Sequence, residues 1–267
     1  MGGIVAEERW LPVPGGTVFA NIFAKQWLPP EPEAGAPLVL LHDSLGCVAL
    51  WRDFPERLVR ATGRRVIAYD RLGFGASSPH PGQQDVAFVT AEAQLGFAAV
   101  AEAFALKQCV LFGHSVGGAM AAACAAQWPA LCVGVITESA QAFVEQCTRD
   151  GICATRDAFA EPGQMQRLER YHGDKAGWVL AAWVDTWLSE AFRHWSLAEV
   201  LPHVHCPALV LHGEHDEYGS RAQPLRYAQG IAGDTTLVLL EDCGHVPHRE
   251  KPAEVLEAVS AFLRTLG

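Results

Sequence analysis

The chain of 267 residues lacks any run of about 18 uncharged apolar residues, the length that a membrane-spanning helix needs. Its first ten residues also lack the apolar core of a secretion signal, because Glu7, Glu8 and Arg9 stand there. Lys and Arg number only 20 against 30 Asp and Glu, too few for a surface that binds nucleic-acid phosphates. These features predict a cytoplasmic protein whose partners include neither a membrane nor a nucleic acid, and they leave its oligomeric state open.

Paired cysteine motifs and sequence repeats are missing as well. The eight cysteines are scattered without a CxxC pair, and a chain of this length buries enough surface to fold without disulfide or metal staples. We therefore expect reduced thiols rather than a disulfide framework or a structural zinc site. Hydrophobic residues make up 50% of the chain, and Gly and Pro show no period, which excludes disorder, collagen and coiled coil.

Short apolar runs alternate with longer segments of helical spacing along most of the chain. The runs are 37–42, 65–70, 109–114, 132–137, 208–213 and 235–241. The helical segments are 88–106, 116–128, 221–231 and 249–265. Continuous runs rich in Val, Leu and Ile suit parallel strands that are covered on both faces, so the alternation predicts an α/β fold with a mostly parallel, doubly wound sheet. An antiparallel hairpin that turns at Pro14-Gly15-Gly16 is expected before it.

The alternation stops in residues 139–200, where apolar residues including Trp183 and Trp187 recur at helical spacing. Helices inserted between two strands can cover the carboxyl ends of a sheet, where open α/β sheets bind ligands. We expect a single structural domain, with a core of 1–138 and 201–267 and a helical cap over 139–200. Trp183 and Trp187 are candidate substrate contacts, and simple packing on the core is the alternative for each ring.

A G-x-S-x-G motif, Gly113-His114-Ser115-Val116-Gly117, joins an apolar strand to an Ala-rich helix. In that context the tight turn pushes the serine out at the top of the sheet, which predicts Ser115 as a nucleophile. The adjacent His114 is a further candidate substrate contact. A serine hydroxyl needs a base to take its proton, and His245 follows the last predicted strand in a loop beside a glycine. His248 is the second candidate base.

The base in turn needs a carboxylate that fixes its tautomer. Asp216 lies just beyond the strand 208–213 and is the predicted partner of His245. Glu214, Glu217 and Glu138 are further candidates for this acid, each near the end of a predicted strand.

Metal binding is a competing interpretation of the segment that contains His212, Glu214, His215 and Asp216. It is disfavoured because successive strand residues point apart and no second group of ligands is evident. We therefore predict no metal site and no cofactor.

The order Ser115, Asp216, His245 along the chain resembles that of the α/β-hydrolase superfamily. The resemblance extends over nearly the whole chain and includes the segment His-Asp-Ser-Leu-Gly at 42–46 and the segment D-x-x-G-x-G-x-S at 70–77. It implies the α/β-hydrolase fold, and we assign the 70–77 turn a structural role only.

The same resemblance implies an oxyanion hole formed by the backbone N–H groups of Ser44 and Val116, where the charge of a tetrahedral intermediate would be held. Asp43 stands where many relatives have Gly, which makes the assignment of Ser44 weaker than that of Val116.

The expected function is hydrolysis of a small, fairly apolar ester, thioester or lactone through an acyl-enzyme, with Ser115 as nucleophile. Hydrolysis of an amide or of a carbon–carbon bond would use the same groups. A cofactor-free oxygenase or perhydrolase would keep the His–Asp pair without an acyl-enzyme, and a non-enzymatic ligand receptor is a third possibility. Epoxide and haloalkane hydrolysis are disfavoured because relatives with that chemistry carry Asp in place of this serine.

Overall fold

The computed structural model describes residues 3–13 and 20–267. Its strands are β1 Val5–Pro12, β2 Asn21–Leu28, β3 Leu38–Leu41, β4 Val66–Tyr69, β5 Cys109–His114, β6 Cys132–Glu138, β7 Ala208–Gly213 and β8 Thr235–Leu240. They form one eight-stranded sheet in the order β1-β2-β4-β3-β5-β6-β7-β8. β2 pairs antiparallel with both β1 and β4. The six strands β3 to β8 all run parallel to one another.

The mostly parallel α/β sheet confirms the predicted fold class. Each of the six apolar runs forms a strand within one or two residues of its predicted limits. β1 and β2 pair antiparallel as the predicted hairpin requires, while its turn at Pro14-Gly15-Gly16 lies outside the described residues.

The helices are α1 Phe54–Thr62, α2 Phe88–Ala91, α3 Gly96–Ala103, α4 Val116–Gln127, α5 Gln146–Ala158, α6 Gln164–His172, α7 Ala176–Leu188, α8 Ala222–Gly230, α9 Pro247–Glu250 and α10 Pro252–Thr265. Helix α1 was not anticipated, although Pro55 in its first turn and Gly63 in a left-handed C-cap are helix-boundary signals. The expected single helix over 88–106 is wrong, because a 3-10 turn separates α2 from α3. There Gly96 packs against the buried Glu92, which accepts a hydrogen bond from the Tyr69 hydroxyl at 2.8 Å.

Two apolar layers cover the sheet. Alternate strand residues point into them, so that Val39 and Leu111 pack with α3, α4 and α8, whereas Leu40 and Phe112 pack with α1 and α10. The central strands are therefore buried on both faces, which explains why their sequences are continuous apolar runs rather than alternating ones.

Between β6 and β7 the chain forms α5, α6 and α7, in the stretch where no strand was predicted. Trp183 and Trp187 on α7 are both buried. All eight cysteines are free thiols, five of them buried. No helix in the described ranges combines the length and the apolar character needed to cross a bilayer.

Close backbone packing around α4 gives a stability prediction. A Cβ atom on Gly117 would fall 2.1 Å from the carbonyl oxygen of Leu41, so Gly117→Ala must displace β3 or α4. We expect this variant to lose roughly 1–3 kcal/mol of unfolding free energy or more in urea denaturation. The matched control is Gly177→Ala in α7, where nothing lies within 4 Å of the added methyl group and a gain of about 0.5–1 kcal/mol is expected. Equal effects of the two substitutions would contradict the packing argument.

Candidate active site

The turn between β5 and α4 carries Ser115 with a positive φ of 55° and a ψ of −127°. Glycine is required on both sides, because a Cβ on Gly113 would fall 2.0 Å from the carbonyl oxygen of Gly117. The Ser115 N–H donates to the carbonyl oxygen of Glu138 at 2.8 Å, which ties the turn to the end of β6. A positive φ at a non-glycine residue is strained and persists only where the surroundings hold it.

His245 lies in the loop that follows β8, and its Nε2 is 3.0 Å from Ser115 Oγ. The carboxylate of Glu250 holds this loop by accepting the N–H of Gly244 at 2.7 Å and that of Val246 at 2.9 Å. A single side chain on α9 thus binds the backbone N–H groups of the two residues on either side of His245.

Asp216 follows β7, and its side chain is completely buried. Its Oδ1 lies 2.8 Å from His245 Nδ1 and also accepts the backbone N–H of Tyr218 at 2.8 Å. Burial alone would raise the pKa of Asp216, but the hydrogen bond to His245 and the charges of His245 and His212 outweigh it and lower that pKa. Asp216 is therefore ionised at neutral pH, and His245 carries a proton on Nδ1.

The contact with Asp216 has the opposite effect on the pKa of His245, which it raises. Burial alone would lower the pKa of His245, but the hydrogen bond and charge of Asp216, with Glu217 and Asp43 in addition, raise it above the usual value. In its neutral form His245 presents an unprotonated Nε2 to the Ser115 hydroxyl, the arrangement that a general base requires.

The two residues expected as oxyanion donors follow the ends of two neighbouring strands, β3 and β5. Val116 is the first residue of α4, so its N–H precedes the hydrogen-bond pattern of the helix. Ser44 follows β3 in a loop and lines the same cavity as Ser115.

Glu138 and His248 pair with each other and take no part in this chain of hydrogen bonds. They were a candidate acid and the second candidate base. Glu138 Oε2 lies 2.6 Å from His248 Nδ1, and both side chains are buried. Burial would raise the pKa of Glu138, but the charge and hydrogen bond of His248, together with His114, outweigh it and lower that pKa. Glu214 and Glu217, the remaining candidate acids, are exposed, and Glu217 also lines the cavity.

The four residues considered as metal ligands, 212 and 214–216, do not share one site. His212 is buried with Nε2 3.0 Å from the carbonyl oxygen of Gly219, whereas His215 and Glu214 are exposed. In the described part of the chain, three different potential ligand side chains do converge, namely His114, Glu138 and His248.

His114 was expected to contact substrate, but it does not line the cavity. It is buried with Nε2 2.8 Å from the carbonyl oxygen of His245, because the strand alternation turns the side chain before the nucleophile into the interior. Since a carbonyl oxygen only accepts hydrogen bonds, Nε2 carries the proton and His114 holds the backbone of His245.

A cavity of about 250 Å³ opens beside Ser115. Its lining residues are Asp43, Ser44, Leu45, Ser115, Gln141, Thr148, Ile152, Thr155, Trp183, Trp187, Glu217, Tyr218, His245 and Val246. Sequence reasoning named Trp183 and Trp187 but missed Gln141, whose Oε1 lies 3.2 Å from Ser115 Oγ, and Tyr218, whose ring centre lies 4.7 Å from that of His245. Both follow ends of parallel strands, which is the signal that could have found them.

Comparisons with known proteins agree with this architecture. A model of the alpha/beta hydrolase family matches residues 38–258. The chain is 35% identical over 97 residues to an sn-1-specific diacylglycerol lipase of Xenopus tropicalis, a match that spans 36% of this chain and only 29% of the lipase. It is 27% identical over 256 residues to 2-hydroxymuconate semialdehyde hydrolase of Pseudomonas sp. (strain CF600), covering 86% of this chain and 87% of that protein. A thermophilic esterase from Thermogutta terrifontis shares the fold, with a TM-score of 0.74 at 21% identity over 97% of this chain and 99% of the esterase.

The buried Glu138–His248 pair gives a second stability prediction. Glu138→Leu leaves the imidazole of His248 buried without its carboxylate, and we expect it to lower the unfolding free energy by about 3–5 kcal/mol. In the control, Glu190→Gln removes an exposed partner of Arg193 and should change the stability little. A similar loss in both variants, measured by urea denaturation, would contradict the importance of the buried pair.

Proposed function

We propose that this chain, which belongs to the alpha/beta hydrolase family, is a serine hydrolase of a small, fairly apolar carboxylic ester, thioester or lactone. One observation carries the proposal: Ser115 Oγ, His245 and Asp216 form a continuous hydrogen-bonded chain, with links of 3.0 and 2.8 Å, at the wall of a cavity.

In the first half of the reaction, Ser115 Oγ attacks the substrate carbonyl carbon while His245 Nε2 takes the hydroxyl proton. The carbonyl oxygen becomes an oxyanion, and the N–H groups of Ser44 and Val116 donate to it. His245 then gives its proton to the leaving oxygen or sulfur as the bond to the carbonyl carbon breaks. The products are a free alcohol or thiol and an acyl group on Ser115.

In the second half, water takes the place of the leaving group. His245 removes a proton from water, whose oxygen attacks the acyl carbon, and the proton then passes to Ser115 Oγ as the acid leaves. Asp216 stabilises the imidazolium through each half because it is buried, ionised and in contact with Nδ1.

The cavity walls support this substrate class. Trp183, Trp187 and Ile152 supply apolar surface, and a volume of about 250 Å³ suits a small acyl or aryl group rather than a long chain. These three residues come from the insertion between β6 and β7, which supports assigning 139–200 as a cap that shapes the pocket.

A second candidate substrate is a semialdehyde like the one in the name of the Pseudomonas relative, 2-hydroxymuconate semialdehyde hydrolase. The match to that relative extends over 86% of this chain, well beyond the nucleophile segment, which is the observation in its favour. Turnover of 2-hydroxymuconate semialdehyde beside a panel of esters would separate the two candidates.

The nucleophile assignment is tested by Ser115→Ala. We expect hydrolysis of short p-nitrophenyl esters to fall by about 10⁴-fold or more, because the acyl-enzyme can no longer form. Labelling by a fluorophosphonate probe should disappear with it. Ser139→Ala, which alters a buried serine outside the cavity lining, serves as the control and should keep both activities. A Ser115→Ala variant that retains most of its hydrolysis would exclude the mechanism, and retained oxygen chemistry would favour an oxygenase.

The pH dependence has a defined sign. His245 must be neutral to accept the proton, and its pKa is raised, so kcat/KM should be lost as the pH falls through a midpoint above the usual histidine value of about 6.5. Because Glu217 contributes to the raised pKa, Glu217→Gln should move the midpoint to lower pH. Glu214→Gln, an exposed carboxylate that does not line the cavity, is the control. A profile that stays flat down to about pH 4 would be incompatible with an imidazole base.

A further inference from the structure

We propose, building on the hydrolase function above, that the cavity beside Ser115 selects substrates that carry a positive charge, because the carboxylate of Asp43 in its wall has no partner of its own among the described residues. The ligand class is an ammonium or quaternary ammonium group on a small ester or thioester.

The two oxygens of Asp43 find no hydrogen-bond donor in the part of the chain that the structure describes. Oδ1 is buried without a partner, and Oδ2 lies 3.6 Å from His114 Nδ1. His114 carries its proton on Nε2, which donates to the carbonyl oxygen of His245. Burial lowers the pKa of His114 to about 4, so at neutral pH the ring is uncharged and turns a lone pair toward Asp43. This imidazole therefore neither donates to the carboxylate nor neutralises it.

The guanidinium beside this loop serves the backbone instead. Arg71 Nη2 donates to the carbonyl oxygen of Asp43 at 2.9 Å, and the guanidinium stacks over the Phe74 ring at 4.0 Å. Arg71 is buried and does not line the cavity. Asp43 thus lines the cavity with a side chain that is 34% exposed, whereas the guanidinium of Arg71 is buried outside the cavity lining.

The other charged residue in the cavity wall is also negative. Glu217 lines the cavity as a second carboxylate, and among the described residues the lining contains no Lys or Arg side chain. Both carboxylates help to raise the pKa of His245, so their charges act at the reacting centre. Trp183 and Trp187 also line the cavity, and indole rings are the side chains that bind quaternary ammonium groups best by cation–π attraction.

The position of Asp43 has a consequence for the transition state. It immediately precedes Ser44, whose N–H is assigned to the oxyanion, so its charge opposes the negative charge that develops there. A cation on the substrate cancels this effect, whereas a carboxylate on the substrate adds to it. One charge in a partly buried site of this kind changes kcat/KM by about 10- to 100-fold.

The test uses three thioesters of similar size, assayed by thiol release at about pH 8, above the range in which an ordinary imidazole titrates. Acetylthiocholine is the cation, S-(3,3-dimethylbutyl) thioacetate is its neutral isostere, and S-acetyl-3-mercaptopropanoate is the anion. We expect kcat/KM to fall in that order, with the cation at least about tenfold above the isostere at low salt and closer to it as ionic strength rises.

Asp43→Asn removes the charge while keeping the shape. It should lower kcat/KM for the cation and raise it for the neutral isostere, so that their ratio approaches one. Glu217→Gln, an exposed position where folding is not at risk, should lower the ratio by a smaller factor. Glu214→Gln makes the same change in net charge outside the cavity and should leave the ratio as in the unmodified protein.

A ratio near one in the unmodified protein, or a tenfold ratio that persists in both Asp43→Asn and Glu217→Gln, overturns the inference. In either case, turnover of the neutral thioester that disappears in Ser115→Ala leaves the proposed function standing. Absence of Ser115-dependent turnover with every ester and thioester would instead defeat the proposed function.

Discussion

The positive φ of the Ser115 backbone is the constraint on which the rest of the site depends. Such a conformation costs about 1–3 kcal/mol in a non-glycine residue, and it survives here because β5, α4 and the end of β6 enclose it. Gly113 and Gly117 permit the close approach that the turn needs. The result is a hydroxyl held at the carboxyl edge of the sheet, where the loops after β7 and β8 bring an acid and an imidazole to meet it.

Two separate imidazole–carboxylate pairs are buried at this edge of the sheet, and in each the imidazole offsets the effect of burial on the pKa of the carboxylate. Asp216 pairs with His245, and Glu138 pairs with His248. Each of the two buried carboxylates therefore has its own imidazole as a hydrogen-bond partner. The two pairs are linked, because His114 donates to the backbone of His245 and its ring lies 5.1 Å from that of His248. His245 is thereby held both by Asp216 and, through its backbone, by His114.

Much of this architecture could be predicted from the sequence, because buried parallel strands are continuous apolar runs and the G-x-S-x-G turn has a steric requirement for glycine. The sequence pattern named Asp216 as the partner of His245 but did not predict that Glu138 pairs with His248, because that contact depends on how the end of β6 packs against α9. His114 was misassigned because a motif does not reveal which way a side chain points. Gln141 reaches Ser115 only because the segment after β6 folds back over the site. That segment contains no sequence motif that would single out Gln141.

Burial lowers the reactivity of two of the cysteine thiols, those of Cys47 and Cys206. A thiol reacts as its thiolate, and burial raises the pKa of Cys47 to about 12 and that of Cys206 to about 11. At neutral pH these sulfurs stay almost entirely protonated, so peroxide and alkylating agents meet few reactive forms of them. The same burial that holds the sheet together therefore keeps these two thiols in their unreactive, protonated form.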